Sequence, residues 1–141
     1  MSDTTSNALA AEAPRGELSL RTLAMPADTN PSGDIFGGWV MSQMDIAGGI
    51  AAWNVADGRV ATVAVDGFTF HRPINVGDVV CCYADVLRVG KTSITVLIQA
   101  WVLRGRRIEN RIKVTEGTFT FVAIDADGNK RQVEPPPAID G

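Results

Sequence analysis

The chain has 141 residues, of which 45% are hydrophobic and 21% charged, and its formal net charge at pH 7 is −3. This length and balance predict one globular domain, and an acidic chain gives no reason to expect a nucleic acid or an anionic membrane as partner. No apolar run reaches the ~18 residues of a membrane span, and the first residues lack the apolar core of a secretory signal. We therefore expect a cytoplasmic protein.

Polar or proline-rich segments frame the expected domain. Residues 1–16 have little apolar surface to bury, and residues 132–141 contain three consecutive prolines, so we predict disordered tails there and a single domain at 17–131. The two cysteines, Cys81 and Cys82, are adjacent and would point to opposite faces of a strand. We expect reduced structural thiols, and one histidine cannot complete a metal site with them.

A short strand and one long helix are the first predicted elements. Residues 18–25 favour a strand that ends at a proline, and a turn-rich segment follows it. Residues 35–55 are apolar, with two stripes at helical spacing, which predicts a helix buried inside the protein rather than lying on its surface. Asp34 or Ser32 is the expected N-cap of this helix.

Four long strands follow, at residues 60–71, 79–89, 94–103 and 112–124, with turn residues between them. The connections are too short for parallel crossovers, so we expect an antiparallel meander. The predicted fold class is α+β, with about five antiparallel strands wrapped around one long buried central helix, the architecture called the hotdog fold. A sheet with an uncovered edge predicts at least a homodimer.

The predicted helix carries a single acidic residue, Asp45. At about 100° per residue it shares one side of the helix with Gly38, Ser42 and Gly49, a stripe of small residues that a substrate could approach closely. Each of the four glycines in this segment costs roughly 1 kcal/mol relative to alanine. This cost indicates a need for close approach, and a carboxylate held there suits base or nucleophile chemistry. The alternative is a core aspartate bonded to a neighbouring strand.

Other residues are candidates for supporting roles. Backbone N–H groups of Gly37 and Gly38 lack partners within a helix and suit an oxyanion hole, although tight packing would also explain these glycines. Asn30 could orient water or substrate, but asparagine before proline is typical of a turn. Asp34 suits an N-cap better than catalysis. His71 lies at a strand end without a nucleophile motif, and we expect it at the surface.

The turn through Asn30 and the helix motif of residues 33–45 closely resemble the YciA-type acyl-CoA thioesterases, and the resemblance extends over about residues 18–131. It implies that Asp45 is the catalytic carboxylate and that Asn30 faces the aspartate of a partner subunit. It also implies active sites at a dimer interface and assembly as a trimer of dimers. Contacts to the nucleotide of CoA are expected from one turn, formed by Gly90, Lys91, Thr92 and Ser93.

The residues and the resemblance together predict an acyl-CoA thioesterase that releases a fatty acid and CoA without a metal or redox cofactor. Asp45 would act as general base or as nucleophile, and the acyl chain would lie against Phe36, Met41 and Val65. One alternative is a non-catalytic acyl-CoA-binding regulatory protein, which would not need Asp45. A dehydratase, which would want a histidine in the pocket, and a purely structural oligomer are further alternatives. The arginine cluster at 104–107 receives no role from the sequence.

Overall fold

One five-stranded antiparallel sheet and one long helix make up residues 13–133, the part of the chain described by the computed structural model. The disorder predicted for the two tails therefore concerns mainly residues outside the described range. Three short 3-10 turns complete the described chain, and the predicted α+β class, with a sheet around one central helix, is confirmed. The elements are β1 (Glu17–Leu23), α1 (Gly37–Ala56), β2 (Val60–Phe70), β3 (Val79–Val89), β4 (Ser93–Leu103) and β5 (Arg111–Ala123).

The strands stand in the order β1-β3-β4-β5-β2, and all neighbours are antiparallel. β3, β4 and β5 form the predicted meander, but the prediction is wrong for β2, which pairs with the far side of β5 and forms an edge of the sheet. Residues 71–78 carry the chain from that edge back to β3. They are held by hydrogen bonds from His71 N–H to Val114 O (2.8 Å) and from Ile35 N–H to Ile74 O (3.2 Å). A connection of this length can cross the end of a sheet, whereas a tight hairpin cannot.

The segment before β1 lies against the sheet, although the sequence assigned it to a disordered tail. Arg15 N–H donates to Gln99 Oε1 at 2.9 Å, and the Arg15 guanidinium forms an ion pair with Asp85 at 2.8 Å. The acceptors belong to β3 and β4, which follow some 70 or more residues later. Contacts of this range leave no local signal in the sequence, which is why composition alone places residues 13–16 in the tail.

One side of α1 packs against the concave face of the sheet. Gly48 allows the close approach, because a Cβ there would clash with Ile98 Cδ1 and would lie 2.9 Å from Phe121 Cζ. Both of these side chains are fully buried and have little room to move. The residues of α1 buried on this side are Val40, Met44, Ala47, Gly48, Ala52 and Ala56.

The start of α1 differs from the prediction. Phe36 is the N-cap and makes no side-chain capping bond, so neither Asp34 nor Ser32 caps the helix. The backbone N–H groups of Ser32 and Asp34 instead donate to Asn30 Oδ1, at 2.9 and 3.1 Å. The polar residues before α1 therefore build a turn around Asn30, and the first helical N–H groups are left without a side-chain cap.

The opposite side of α1 is apolar but is not covered by any of the residues 13–133. The helix expected to be buried on most sides is thus buried on one side only. The edge strand β2 adds Val63, which is 55% exposed. Apolar surface of this kind beside an unpaired strand edge indicates an interface with another chain. The large apolar side chains of α1 and its N-cap that are 44–50% exposed are Phe36, Ile46, Ile50 and Trp53.

Arg104, the first residue after β4, fixes the crossing segment 71–78. Its Nε and Nη2 donate to the Asp78 carboxylate at 3.3 and 2.9 Å, and Nη2 also donates to Pro73 O at 3.2 Å. Asp78 is buried, accepts Asn75 N–H as well, and raises the pKa of Arg104 through these hydrogen bonds. The first arginine of the unassigned cluster therefore holds together the loop that leads from β2 to β3.

Candidate active site

Asp45 lies in the first half of α1, on the side of the helix that faces β2. Its Oδ1 accepts a hydrogen bond of 2.6 Å from Thr62 Oγ1 on β2, and its Oδ2 has no partner among residues 13–133. Asp45 is partly exposed, so its carboxylate keeps some contact with solvent in a single chain. The hydrogen bond fixes one oxygen and leaves the other able to accept a proton.

A cavity of about 500 Å³ opens beside the carboxylate of Asp45 and runs along α1. Its lining is mainly apolar, and the polar side chains in it are Asp45, Thr62 and Asn54. The residues predicted to line an acyl site, Phe36, Met41 and Val65, are not among those that line it. A cavity with one carboxylate at an apolar wall suits a substrate with an apolar tail. The apolar or small lining residues are Ile46, Gly49, Ile50, Trp53, Val60 and Phe121.

The first turn of α1 presents backbone donors. The N–H groups of Trp39 and Val40 donate to Phe36 O, whereas those of Gly37 and Gly38 find no acceptor within the described part of the chain. Gly38 is exposed, and a Cβ there would meet no atom within 4 Å. A carbonyl oxygen can therefore reach these donors, which is the geometry an oxyanion hole needs.

These donors do not lie beside Asp45 of the same chain. Asp45 follows Gly38 by seven residues, which is about 10 Å along the helix axis. Gly37 instead borders a second cavity, of about 330 Å³, together with Phe70, His71 and Arg72 at the end of β2. His71 is exposed there, as predicted. Within one chain, the carboxylate and the expected oxyanion donors thus occupy opposite ends of β2.

Asn30 is a turn residue in the structure. Its Oδ1 receives the two N–H groups already described, its backbone N–H donates to Asp34 O at 2.7 Å, and its carbonyl accepts Gly33 N–H. No hydrogen bond joins Asn30 to Asp45 within the chain. The Nδ2 group has no acceptor in residues 13–133, so the role expected for Asn30 requires a second subunit and stays a prediction.

The turn from Gly90 to Ser93 joins β3 and β4 and is closed by a hydrogen bond of 2.7 Å from Gly90 N–H to Ser93 O. Thr92 O accepts Ala123 N–H, which places the turn at the end of the sheet where α1 finishes. Lys91 is exposed and forms no ion pair with another described residue. The predicted contact of this turn with the CoA nucleotide stays a prediction.

The thiols do not take part in this arrangement. Both cysteines are buried and unbridged, as predicted. Burial, together with the neighbouring Cys81, raises the pKa of the Cys82 thiol to about 12. A thiol in that state is not a nucleophile near neutral pH.

Thr62 belongs to this candidate site through its hydrogen bond to Asp45, and the sequence alone does not reveal it. It is one of many threonines in predicted strands, and nothing in its neighbours marks it. Its contact with Asp45 arises because β2 lies at the edge of the sheet beside α1. Local sequence pattern does not predict this order of the strands.

The fold and the site define a thioesterase of the hotdog architecture. The model of the thioesterase superfamily matches residues 32–109, which include α1, β2, β3 and β4. The acyl-CoA thioester hydrolase YciA of Salmonella typhimurium is 59% identical over 120 residues, covering 84% of this chain and 90% of that protein. The chain belongs to the YciA-type acyl-CoA thioester hydrolases of the thioesterase superfamily.

Solved structures extend the comparison. HI0827, a hexameric broad-specificity acyl-coenzyme A thioesterase, superposes with a TM-score of 0.81 at 52% identity over 87% of this chain and 84% of its own, and an aspartate-to-alanine variant of it has been solved. The acyl-CoA hydrolase of Staphylococcus aureus gives a TM-score of 0.72 at 28% identity, covering 86% and 74% of the two chains. Its solved alanine variants replace an aspartate and a threonine that are 17 residues apart, which is also the separation of Asp45 and Thr62.

Proposed function

We infer that this protein is an acyl-CoA thioesterase, which hydrolyses the thioester of acyl-CoA to a fatty acid and CoA. One observation carries the proposal: the Asp45 carboxylate, held through Oδ1 by Thr62, stands at an apolar cavity with Oδ2 open. The identity to named acyl-CoA thioester hydrolases supports it. A regulatory acyl-CoA-binding protein would need the cavity but not a positioned carboxylate, so the enzyme is the better account.

We propose that each active site is shared between two copies of the chain. The unpaired edge of β2 and the exposed apolar side of α1 are adjacent, and two-fold antiparallel pairing of β2 with its partner would cover both. Such pairing sets the start of one β2 against the end of the other. Thr62 and Asp45 then face the end of the partner's β2 and the first turn of the partner's α1, where the N–H groups of Gly37 and Gly38 are open.

The chemistry follows from this arrangement. The thioester carbonyl lies between Asp45 and the N–H groups of the partner's Gly37 and Gly38, which stabilise the oxyanion as the carbonyl carbon becomes tetrahedral. Asp45 Oδ2 removes a proton from the attacking water; the C–S bond then breaks, and the proton passes to the CoA sulfur. Direct attack by Asp45, through a mixed anhydride that water hydrolyses, would use the same geometry. Asn30 of the partner subunit orients the water or the carbonyl, and no metal or redox cofactor enters either route.

The protein forms a homo-oligomer, and we propose a trimer of dimers because the similar HI0827 is hexameric. In that assembly the turn from Gly90 to Ser93 contacts the CoA nucleotide, with Lys91 paired to a phosphate. In residues 13–133 no helix is both long and apolar enough to cross a membrane. The cytoplasmic location stays a prediction.

Release of free thiol from a panel of acyl-CoAs, from acetyl to palmitoyl, tests the proposal with the purified wild-type protein. We expect turnover on several chain lengths, with kcat in the common enzyme range of about 1–10³ s⁻¹ on the best of them. Acyl-CoA binding without hydrolysis at any length would instead support the regulatory alternative.

A further inference from the structure

We propose that Gly49 determines the length of the acyl chains that the enzyme accepts. Because glycine has no side chain, the wall of the cavity that α1 forms stays open one helical turn beyond Asp45. The inference rests on the proposed thioesterase function and deepens it. It concerns the path of the acyl chain after the thioester has been placed at the carboxylate.

Adjacent glycines in α1 have different reasons to be glycine. A Cβ on Gly48 would collide with Ile98 and Phe121, so the fold itself requires that residue. A Cβ on Gly49 would meet only the Phe121 ring, at 3.9 Å, which is ordinary contact. Packing within the chain therefore tolerates alanine at position 49. Helix propensity would even favour it, since glycine in a helix is less stable than alanine.

The cost of Gly49 is explained by the cavity that it lines. Asp45, Gly49 and Trp53 follow one another at four-residue spacing and all border the same space, so they mark successive turns along one wall. A methyl group at position 49 would project into this space rather than into the core. Without a side chain at position 49, the cavity stays open between the carboxylate of Asp45 and the ring of Trp53.

The acyl chain, rather than the pantetheine arm of CoA, fits the space beyond Gly49. Ile50, Trp53 and Val60 border this end together with Phe121, and the only side-chain amide there is Asn54. The two amides of a pantetheine arm would lose their hydrogen bonds to water there and would find too few protein partners, which costs free energy. Burial of an alkyl chain in the same space is favourable. The CoA arm therefore leaves the site in the other direction.

Helix geometry gives the chain length at which Gly49 matters. Four residues advance about 6 Å along the axis, and an extended chain advances roughly 1.2 Å per bond. An acyl chain starting beside Asp45 thus reaches Gly49 after about five bonds. Acetyl and butyryl groups end before this point, hexanoyl groups reach it, and octanoyl or longer groups pass it.

The test compares wild type with Gly49→Ala and Gly49→Leu on acetyl-, butyryl-, hexanoyl-, octanoyl- and lauroyl-CoA. One added carbon in an apolar pocket changes specificity about tenfold to a hundredfold. We therefore expect the ratio of kcat/KM on octanoyl-CoA to that on acetyl-CoA to fall by this factor in Gly49→Ala, and further in Gly49→Leu. Gly48→Ala is the matched control, expected to lower the melting temperature and to leave the ratio near that of wild type.

The affinities of non-hydrolysable S-alkyl-CoA thioethers of the same lengths give a second readout that does not depend on turnover. The length cut-off in dissociation constants is expected to match that in kcat/KM. The assignment would be overturned if both Gly49 variants changed kcat/KM, relative to wild type, by the same factor at every chain length. This holds whether their activity is kept or lost. Absence of hydrolysis by wild type would overturn the proposed function instead, while the thioether affinities would still decide the role of Gly49.

Discussion

Replacement of Asp45 by asparagine is expected to lower kcat by a factor of about 100 or more on every acyl-CoA that the wild-type protein hydrolyses. Asparagine keeps the shape of the side chain, and its Oδ1 can still accept the hydrogen bond from Thr62. It cannot take a proton from water or form an anhydride. The loss should therefore appear in kcat, with the melting temperature and the affinity for acyl-CoA close to wild type.

Asp34→Asn is the matched control for this change. Asp34 is a carboxylate that lies shortly before α1, it is exposed, and its side chain makes no hydrogen bond with a described residue. Its variant is expected to stay within about twofold of wild type, as surface substitutions usually do. A kcat above one tenth of wild type in Asp45→Asn, or an equal loss in both variants, would contradict the role of Asp45.

The second large effect is one of stability. Replacement of Arg104 by alanine is expected to lower the free energy of unfolding by about 2–4 kcal/mol, because it leaves the buried Asp78 carboxylate without its charged partner. We expect less than for a fully buried pair, since the Arg104 side chain is 36% exposed and water can replace part of the contact. Urea denaturation at a fixed protein concentration measures the change.

Arg107→Ala tests whether the effect belongs to this contact or to the arginine cluster as a whole. Among the described residues Arg107 forms one ion pair, with Glu109 at 3.6 Å, and both side chains are 68% exposed. The expected change is about 0.5 kcal/mol or less. Similar losses in the two variants would argue against Arg104 as the residue that fixes the β2–β3 connection.

The sequence predicts those parts of the fold that local pattern specifies. The periodicity of residues 35–55 predicts α1 to within two residues at each end, and turn residues delimit the strands. Asp45 stands out because a lone carboxylate in an apolar helix is rare. The helix motif that ends at Asp45 carries the resemblance to the family, and the family is confirmed.

The remaining features depend on contacts between distant residues. β2 follows α1 in the chain, yet it pairs with β5, so its position at the sheet edge and the contact of Thr62 with Asp45 are set by long-range pairing. The open side of α1 also depends on long-range pairing. Its apolar residues are typical of a buried helix, and only the strand order shows that the sheet of one chain does not cover them. The sequence gives Arg104 no role because its partner, Asp78, lies 26 residues earlier in a different loop.

The most direct test of an active site shared by two subunits is thiol release by mixed oligomers. One partner carries Asp45→Asn; the other carries Gly37→Pro or Gly38→Pro, whichever is less active, since proline in the first helical turn removes an N–H with little harm to the helix. Each variant alone should be nearly inactive. Random pairing gives half mixed dimers with one intact site in two, so coexpression should restore about a quarter of wild-type activity. Activity no higher than the average of the two variants, in oligomers shown by two affinity tags to contain both, would contradict the shared site.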